Sequence, residues 1–130
     1  MLKLLRYFPP WLPAIVMLVA IFVFSSIPSN TMPHFNWADL FVKKSGHMLG
    51  YGLLALAFLY GFKLDPSKSK FAWLFALLYA MTDEFHQHFV PGRHASWVDI
   101  IIDSTGAALA LIWVKKSLQV LDFRRQVKDS

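Results

Sequence analysis

The chain has 130 residues, 56% of them hydrophobic, and a mean hydropathy of +0.45. Soluble domains are about 45–50% apolar, so this composition favours a membrane protein. The formal net charge is +5, but the basic residues are concentrated at the chain ends and in one short loop, which argues against the continuous basic face of a nucleic-acid-binding protein. The chain has no cysteine, which excludes disulfides and thiolate chemistry.

The apolar residues fall into four segments separated by charged loops. Each segment has about 17–20 residues, the length at which an α-helix crosses a hydrocarbon core of about 30 Å. Asp65-Pro66 and Pro91-Gly92 are typical of turns, and Ser96 is a suitable N-cap. We predict one all-α domain over residues 1–130, an integral membrane four-helix bundle. Its predicted helices are at about residues 10–27, 44–62, 71–90 and 97–114, followed by an amphipathic or disordered C-terminal tail.

The first apolar segment follows Lys3 and Arg6, as the apolar part of a signal peptide would. It is long for that role, and Ser25-Ser26-Ile27-Pro28 is a poor cleavage site. We therefore expect a helix that is retained.

The distribution of Lys and Arg predicts the orientation of the bundle, because cytoplasmic loops are enriched in these residues. With four crossings, the N-terminal head, the turn at residues 63–70 and the tail share one side of the membrane. Of the 13 Lys and Arg residues, only Lys43, Lys44 and Arg93 lie on the opposite side. We therefore expect both termini to be cytoplasmic.

Small residues are predicted to bring the helices close together. Gly46 and Gly50 have the G-x-x-x-G spacing of close helix pairs in lipid. Gly106, Ala107 and Ala110 form a similar stripe on the last predicted helix. We expect both sets to lie at helix–helix contacts.

Polar residues gather at the outer ends of the second, third and fourth predicted helices. Ionisable groups are costly at membrane depth and are usually functional there. Helical spacing places those of the second helix on one face, and likewise those of the fourth. The residues are Lys44, His47 and Tyr51; Asp83, Glu84 and Gln87; and Ser96, Asp99 and Asp103. We predict a polar pocket that opens outward.

The acidic residues and the histidine of this pocket are candidates for acid–base chemistry. Glu84 or Asp83 is a candidate general acid or base, and His47 is an alternative base. Asp99 is expected to orient the neighbouring cationic side chains, Arg93 and Lys44, or His47. The predicted catalytic residues are therefore Glu84, His47, Asp83 and Asp99. The alternative interpretation is a buried ion network that only fixes helix packing.

The cations of the pocket indicate an anionic ligand. Arg93, in the short connection above the pocket, is expected to clamp a phosphate or carboxylate, and Lys44 adds a second cation. The predicted substrate-binding residues are Arg93, Lys44, Gln87, Tyr51, Ser96 and Asp103. The sequence lacks the His-Glu-x-x-His pattern of zinc enzymes, and we predict no metal and no cofactor.

Three separated motifs in this region resemble those of one family of membrane proteins. The motifs are Lys44-x-x-His47-x-x-x-Tyr51, Asp83-Glu84-x-x-Gln87-x-Phe89-x-Pro91-Gly92-Arg93 and Ser96-x-x-Asp99-x-x-x-Asp103-x-x-Gly106. Over about residues 43–112 they resemble the VanZ-like family, in which Asn is often found at the position of Asp103. The resemblance implies a small multi-pass protein of the bacterial plasma membrane. The founding member is associated with low-level resistance to the lipid-tailed glycopeptide teicoplanin.

Three functions are compatible with these observations. The first is an enzyme that hydrolyses or transfers a group on an anionic, lipid-linked or lipoglycopeptide substrate at the extracytoplasmic side. The second is a non-catalytic protein or small transporter that binds such a lipid or antibiotic. The third is a structural or accessory membrane protein. The expected partners are the lipid bilayer and a lipid-like ligand, and no nucleic acid is expected.

Overall fold

Helices account for nearly all the regular structure of the chain. The computed structural model describes residues 7–28 and 36–130, with side chains from residue 41 onward in the second range. The helices are α1 (Leu12–Ser26), α2 (Asn36–Gly61), α3 (Ser69–Gln87) and α4 (Trp97–Asp129), with a 3-10 helix at Pro66–Lys68 between α2 and α3. No strand occurs in these ranges. The predicted all-α class with four helices is confirmed.

Two helices are longer than predicted. α2 begins at Asn36, not at about residue 44, and the predicted tail continues α4 as far as Asp129. Neither added segment contains Gly or Pro, so nothing in them ends a helix. The predicted lengths were wrong because the apolar length of a helix was taken as its full length. Residues 1–6 of the N-terminal head and residues 29–35, which include His34, lie outside the described residues.

α3 is shorter at its C-terminal end than predicted. It ends at Gln87, where the sequence predicted a helix as far as about residue 90. Phe89 and Val90 instead donate backbone hydrogen bonds to the carbonyls three residues earlier. This tighter turn is expected before Pro91, because proline disfavours the α conformation in the residue that precedes it.

The interior of the bundle combines several alanines with a few large side chains such as Leu54 and Leu59, whereas many large apolar residues lie outside. Ala55, Ala72, Ala76, Ala80 and Ala107 are almost fully buried. Large apolar side chains are exposed on all four helices, among them Ile15, Val19, Leu49, Leu53, Phe75, Leu78, Ile101 and Leu109. In the described residues, only α4 has the length and hydropathy to cross a membrane, and α1 is apolar but shorter.

The closest helix contact is between α2 and α4. A Cβ atom on Gly106 would collide with the backbone carbonyl of Met48, and one on Gly52 would lie 3.3 Å from the carbonyl oxygen of Gly106 and 3.4 Å from the Cβ of Ala110. The predicted packing role of the Gly106 stripe is therefore confirmed.

Gly46 and Gly50 differ from this pattern. A Cβ atom on either residue would meet no atom of the described residues within 4 Å. The expectation that their G-x-x-x-G spacing marks a close helix contact was wrong, because α2 presents its closely packed face through Gly52 instead.

Gly106→Ala is expected to destabilise the bundle by about 1–3 kcal/mol, the usual cost of forcing extra volume into a packed core. The matched control is Gly46→Ala, which adds the same methyl group to open space and should be neutral or stabilising by up to about 1 kcal/mol through helix propensity. Unfolding of the purified protein in detergent measures both. Equal stability of the two variants would contradict the packing role of Gly106.

Candidate functional site

Hydrogen bonds between α1, α2 and α3 converge on one buried carboxylate. The Tyr51 hydroxyl donates to Oδ2 of Asp83 at 3.0 Å. The Gln87 side-chain amide donates to the same oxygen and to Oγ of Ser25, each at 3.3 Å. All four residues are buried. We call Ser25, Tyr51, Asp83 and Gln87 the polar cluster.

His47 and Asp103 form an ion pair beside this cluster. His47 Nδ1 lies 3.6 Å from Asp103 Oδ1, which is close enough for charge attraction but too long for a good hydrogen bond. The Asp103 side chain is 1% exposed, and its two carboxylate oxygens have no hydrogen-bond donor in the described part of the chain. His47 is 28% exposed and therefore presents this pair to the surroundings.

Lys44 and Asp99 form a second ion pair. Lys44 Nζ donates to Asp99 Oδ1 at 3.0 Å, and both side chains are partly exposed. Asp99 therefore contacts a cation, as the sequence predicted. The charge of Lys44 is balanced by this partner, which reduces what Lys44 can offer to a ligand.

Glu84 and Ser96 connect the end of α3 to the start of α4. The backbone N–H of Ser96 donates to Glu84 Oε2 at 2.9 Å, and Ser96 Oγ accepts from the N–H of Val98 at 3.2 Å. Ser96 is thus the N-cap of α4, as predicted. Both residues make contacts that fix the chain, and their roles in catalysis and substrate binding stay predictions.

Arg93 binds the C-terminal end of α1. Its Nε donates to the carbonyl of Ile27 at 3.1 Å, and Nη2 donates to the carbonyl of Phe24 at 2.9 Å. The last carbonyls of a helix lack partners within the helix, and a cation is favourable at that end. Arg93 therefore holds the connection between α3 and α4 against α1.

A cavity of about 360 Å³ lies between α1 and α2, below Arg93. Its apolar lining comes mainly from α1, and its polar lining includes two cations and a histidine. The lining residues are Met17, Ala20, Ile21, Phe24, Ser25, Val42, Lys43, Gly46, His47, Gly50, Tyr51 and Arg93.

The cavity contains only part of the predicted site. His47, Tyr51 and Arg93 line it, whereas the carboxyl groups of Asp83 and Asp103 lie behind it in contact with Tyr51 and His47. The other predicted residues, Glu84, Asp99, Lys44, Gln87 and Ser96, are not in its lining. The described residues include no group of three or more His, Asp or Glu side chains arranged to hold a metal.

A family model described as VanZ/LLP1 matches residues 10–119, which include every residue of the cavity and of the polar cluster. The chain belongs to the VanZ/LLP1 family. The resemblance predicted from the three motifs is confirmed. Members of this family are typically membrane-associated, and the family is linked in general to teicoplanin resistance. Comparison with curated proteins and with solved structures gave no match.

Sequence reasoning missed the contribution of α1 to this VanZ-like site. In the sequence, Ser25 and Ser26 served only to argue against signal-peptide cleavage, but Ser25 bonds Gln87 and Ser26 Oγ lies 2.9 Å from His86 Nε2. The signal was present, since Ser25 follows Met17 and Ile21 at intervals of four and therefore shares their helix face.

Tyr51→Phe is expected to lower the free energy of unfolding by about 1–2 kcal/mol, because it leaves a buried carboxylate oxygen with one donor fewer. A smaller loss of about 0.6 kcal/mol would match the mean for such bonds in membrane proteins. Tyr60→Phe on the same helix, away from the polar cluster, is the matched control. Equal losses in the two variants, measured by unfolding in detergent, would show that the Tyr51–Asp83 bond contributes nothing.

Proposed function

We propose that this VanZ-like chain is a multi-pass membrane protein that binds an anionic amphiphile in the cavity between α1 and α2, at the extracytoplasmic side. The single observation that carries the proposal is the composition of the cavity wall. The wall has a polar part and an apolar part. An amphiphile complements both, because its head group is charged and its alkyl chain is apolar. A lipid-linked cell-envelope component or a lipoglycopeptide such as teicoplanin fits this class.

The distribution of side chains supports insertion of the whole bundle. Many large apolar side chains outside, with alanines and polar side chains in much of the interior, is an arrangement favoured in lipid, where close backbone approach replaces a hydrophobic driving force. In water, so large an exposed apolar surface would favour aggregation or binding to another surface. The Lys and Arg distribution supports a cavity on the side opposite the termini.

The charges around the cavity support an anionic head group. Arg93 and Lys43 line it, and His47 is beside them. The nearby carboxylates are turned away from the ligand space, since Asp99 pairs with Lys44, and Asp103 lies behind His47. The polar part of the surface that a ligand would meet therefore includes the Arg93 guanidinium, and guanidinium groups bind phosphate and carboxylate well.

Binding without chemistry is the interpretation that the geometry favours. Among the described lining residues, Ser25 is the serine that could act as a nucleophile. Its hydroxyl oxygen accepts a hydrogen bond from Gln87, and no described base contacts it. Glu84, the first candidate for general acid or base, contacts the backbone of Ser96. Neither group has the nucleophile–base pairing of covalent catalysis.

The second candidate function is hydrolysis of the bound amphiphile. The observation that favours it is the His47–Asp103 pair, in which a buried carboxylate faces an imidazole at the cavity wall. A carboxylate in this position orients an imidazole so that it can accept a proton from water. Glu84, Asp83 and Asp99 would then position the helices that carry the pair.

The orientation of the chain is tested by single cysteines, because the wild-type chain has none. His94→Cys, in the connection between α3 and α4, should react with a membrane-impermeant maleimide on intact cells. Ser130→Cys should react only after the membrane is opened. The cysteine-free parent is the control. Labelling in the opposite order would place the cavity on the cytoplasmic side and overturn this part of the proposal.

Arg93→Gln is expected to weaken binding of hexadecyl phosphate by about tenfold or more, because a hydrogen bond to a charged group contributes about 1.5–3 kcal/mol. Binding of hexadecylphosphocholine, which has the same chain but no net charge, should change little. The measurement is a titration of the full chain in phosphatidylcholine nanodiscs, with thermal unfolding run in parallel. Arg124→Gln in the exposed end of α4 is the matched control for charge.

Two other outcomes of this titration are informative. A wild-type chain with no saturable preference for the anionic amphiphile would contradict the proposed function. Release of inorganic phosphate from hexadecyl phosphate, abolished in His47→Gln, would favour the second candidate.

A further inference from the structure

Gly46 and Gly50 line the cavity although packing does not require glycine at either position. Both lie inside α2, and within 4 Å a Cβ atom on either would meet none of the atoms that the structure describes. Neither has the positive φ that would favour glycine. Glycine is the least favourable helix residue after proline, so two of them one turn apart weaken α2 with no gain in helix packing.

The space beside the two glycines has the form of a slot. At its inner end, α1 and α2 are in close contact, since Trp11 packs against Gly61 and its ring centroid lies 5.0 Å from that of Phe62. At its outer end, Arg93 bonds the last carbonyls of α1. The slot therefore lies between two fixed ends.

The wall opposite the glycines is a stripe of apolar side chains on α1. Met17, Ala20, Ile21 and Phe24 share one helix face and line the cavity. The stripe extends over seven steps of the helix, from Met17 to Phe24, or roughly 10 Å along the helix axis at 1.5 Å per residue. With Arg93 at one end, the slot changes from charged to apolar along its length.

We infer that Gly46 and Gly50 form the bed of a groove for the alkyl chain of the anionic amphiphile, and that they determine which chains the protein accepts. This inference rests on the proposed function and adds the residues that select the apolar part of the ligand. The head group lies at Arg93, Lys43 and His47. The first part of one unbranched chain lies between the α1 stripe and the bare backbone of α2.

The physical reason is that selectivity for an alkyl chain in a bilayer must come from fit. A chain that leaves the lipid for the slot exchanges one apolar environment for another and gains no hydrophobic free energy. Van der Waals contact then determines which alkyl chain binds, and this contact depends on the width of the slot. A cavity of about 360 Å³ is at the lower end of the usual range for ligand pockets, so one added side chain alters a large share of it.

Gly46→Leu and Gly50→Leu test the inference. Each should weaken binding of hexadecyl phosphate by about tenfold or more, the effect of a misfit of one or a few methylene groups in an apolar pocket. Binding of butyl phosphate, whose chain is too short to reach far into the slot, should stay close to the wild-type value. The full chain in phosphatidylcholine nanodiscs is titrated with both probes.

Ser45→Leu is the matched control. Ser45 precedes Gly46 on the same helix, is exposed and is not in the cavity lining, so the same added bulk should leave both affinities unchanged. Gly46→Ala and Gly50→Ala show whether a loss of binding can occur in variants that remain folded. They should keep or raise the thermal unfolding temperature through helix propensity, while binding of hexadecyl phosphate falls.

The outcomes separate the inference from the proposed function. If the glycine variants lose hexadecyl phosphate binding and Ser45→Leu does not, the result supports both the proposed function and the inference. Wild-type affinity in the glycine variants, or an equal loss in Ser45→Leu, overturns the inference while the anion preference of the wild type stands. Absence of saturable binding to the wild type overturns the proposed function and the inference with it.

Discussion

The hydrogen bonding of buried polar groups determines how the end of the bundle that carries the polar cluster is built. An unpaired polar group is expensive away from water, so a partner is favoured for each buried one, although the carboxylate oxygens of Asp103 have none in the described part of the chain. Asp83 on α3 receives hydrogen bonds from Tyr51 on α2 and from Gln87 one turn along its own helix, and Gln87 reaches Ser25 on α1. One carboxylate therefore fixes the relative positions of three helices.

The attachment of α1 follows from the same constraint. α1 is mostly apolar, and several of its contacts with the other helices are hydrogen bonds to its backbone. Tyr79 donates to the carbonyl of Leu18 at 2.6 Å, and Arg93 donates to the carbonyls of Phe24 and Ile27. These bonds hold α1 to α3 and to the connection after it, and α1 also packs against α2 in the apolar core. A helix held in this way leaves the space in which the proposed ligand lies.

Glycine has two distinct structural roles on α2. At Gly52 it allows α4 to approach so closely that the backbone of Gly106 is in contact, and at Gly46 and Gly50 it leaves space open. A glycine in the sequence is the same signal in either case, since it records only the absence of a side chain at that position. What occupies the space beside it depends on the position of the neighbouring helix.

The sequence by itself determined the helical class, the family and most of the residues at the outer end of the bundle. Four apolar segments separated by charged loops, with Asp65-Pro66 and Pro91-Gly92 in two of these connections, predict four helices, and the positions of His47, Tyr51 and Asp83 in their segments place all three toward the same end of the bundle. These features are local, because they depend on helical periodicity and on turn residues within a few positions of each other.

Only the tertiary structure decided which group each of these residues contacts. Whether Arg93 meets a ligand or the end of α1, whether Glu84 faces the cavity or the backbone of Ser96, and whether Gly46 faces a helix or open space depend on how the helices are rotated and separated. Helical periodicity fixes the face on which a side chain lies but carries no information about the element that the face meets. That information is set by packing between residues far apart in the chain, such as Ser25 and Gln87.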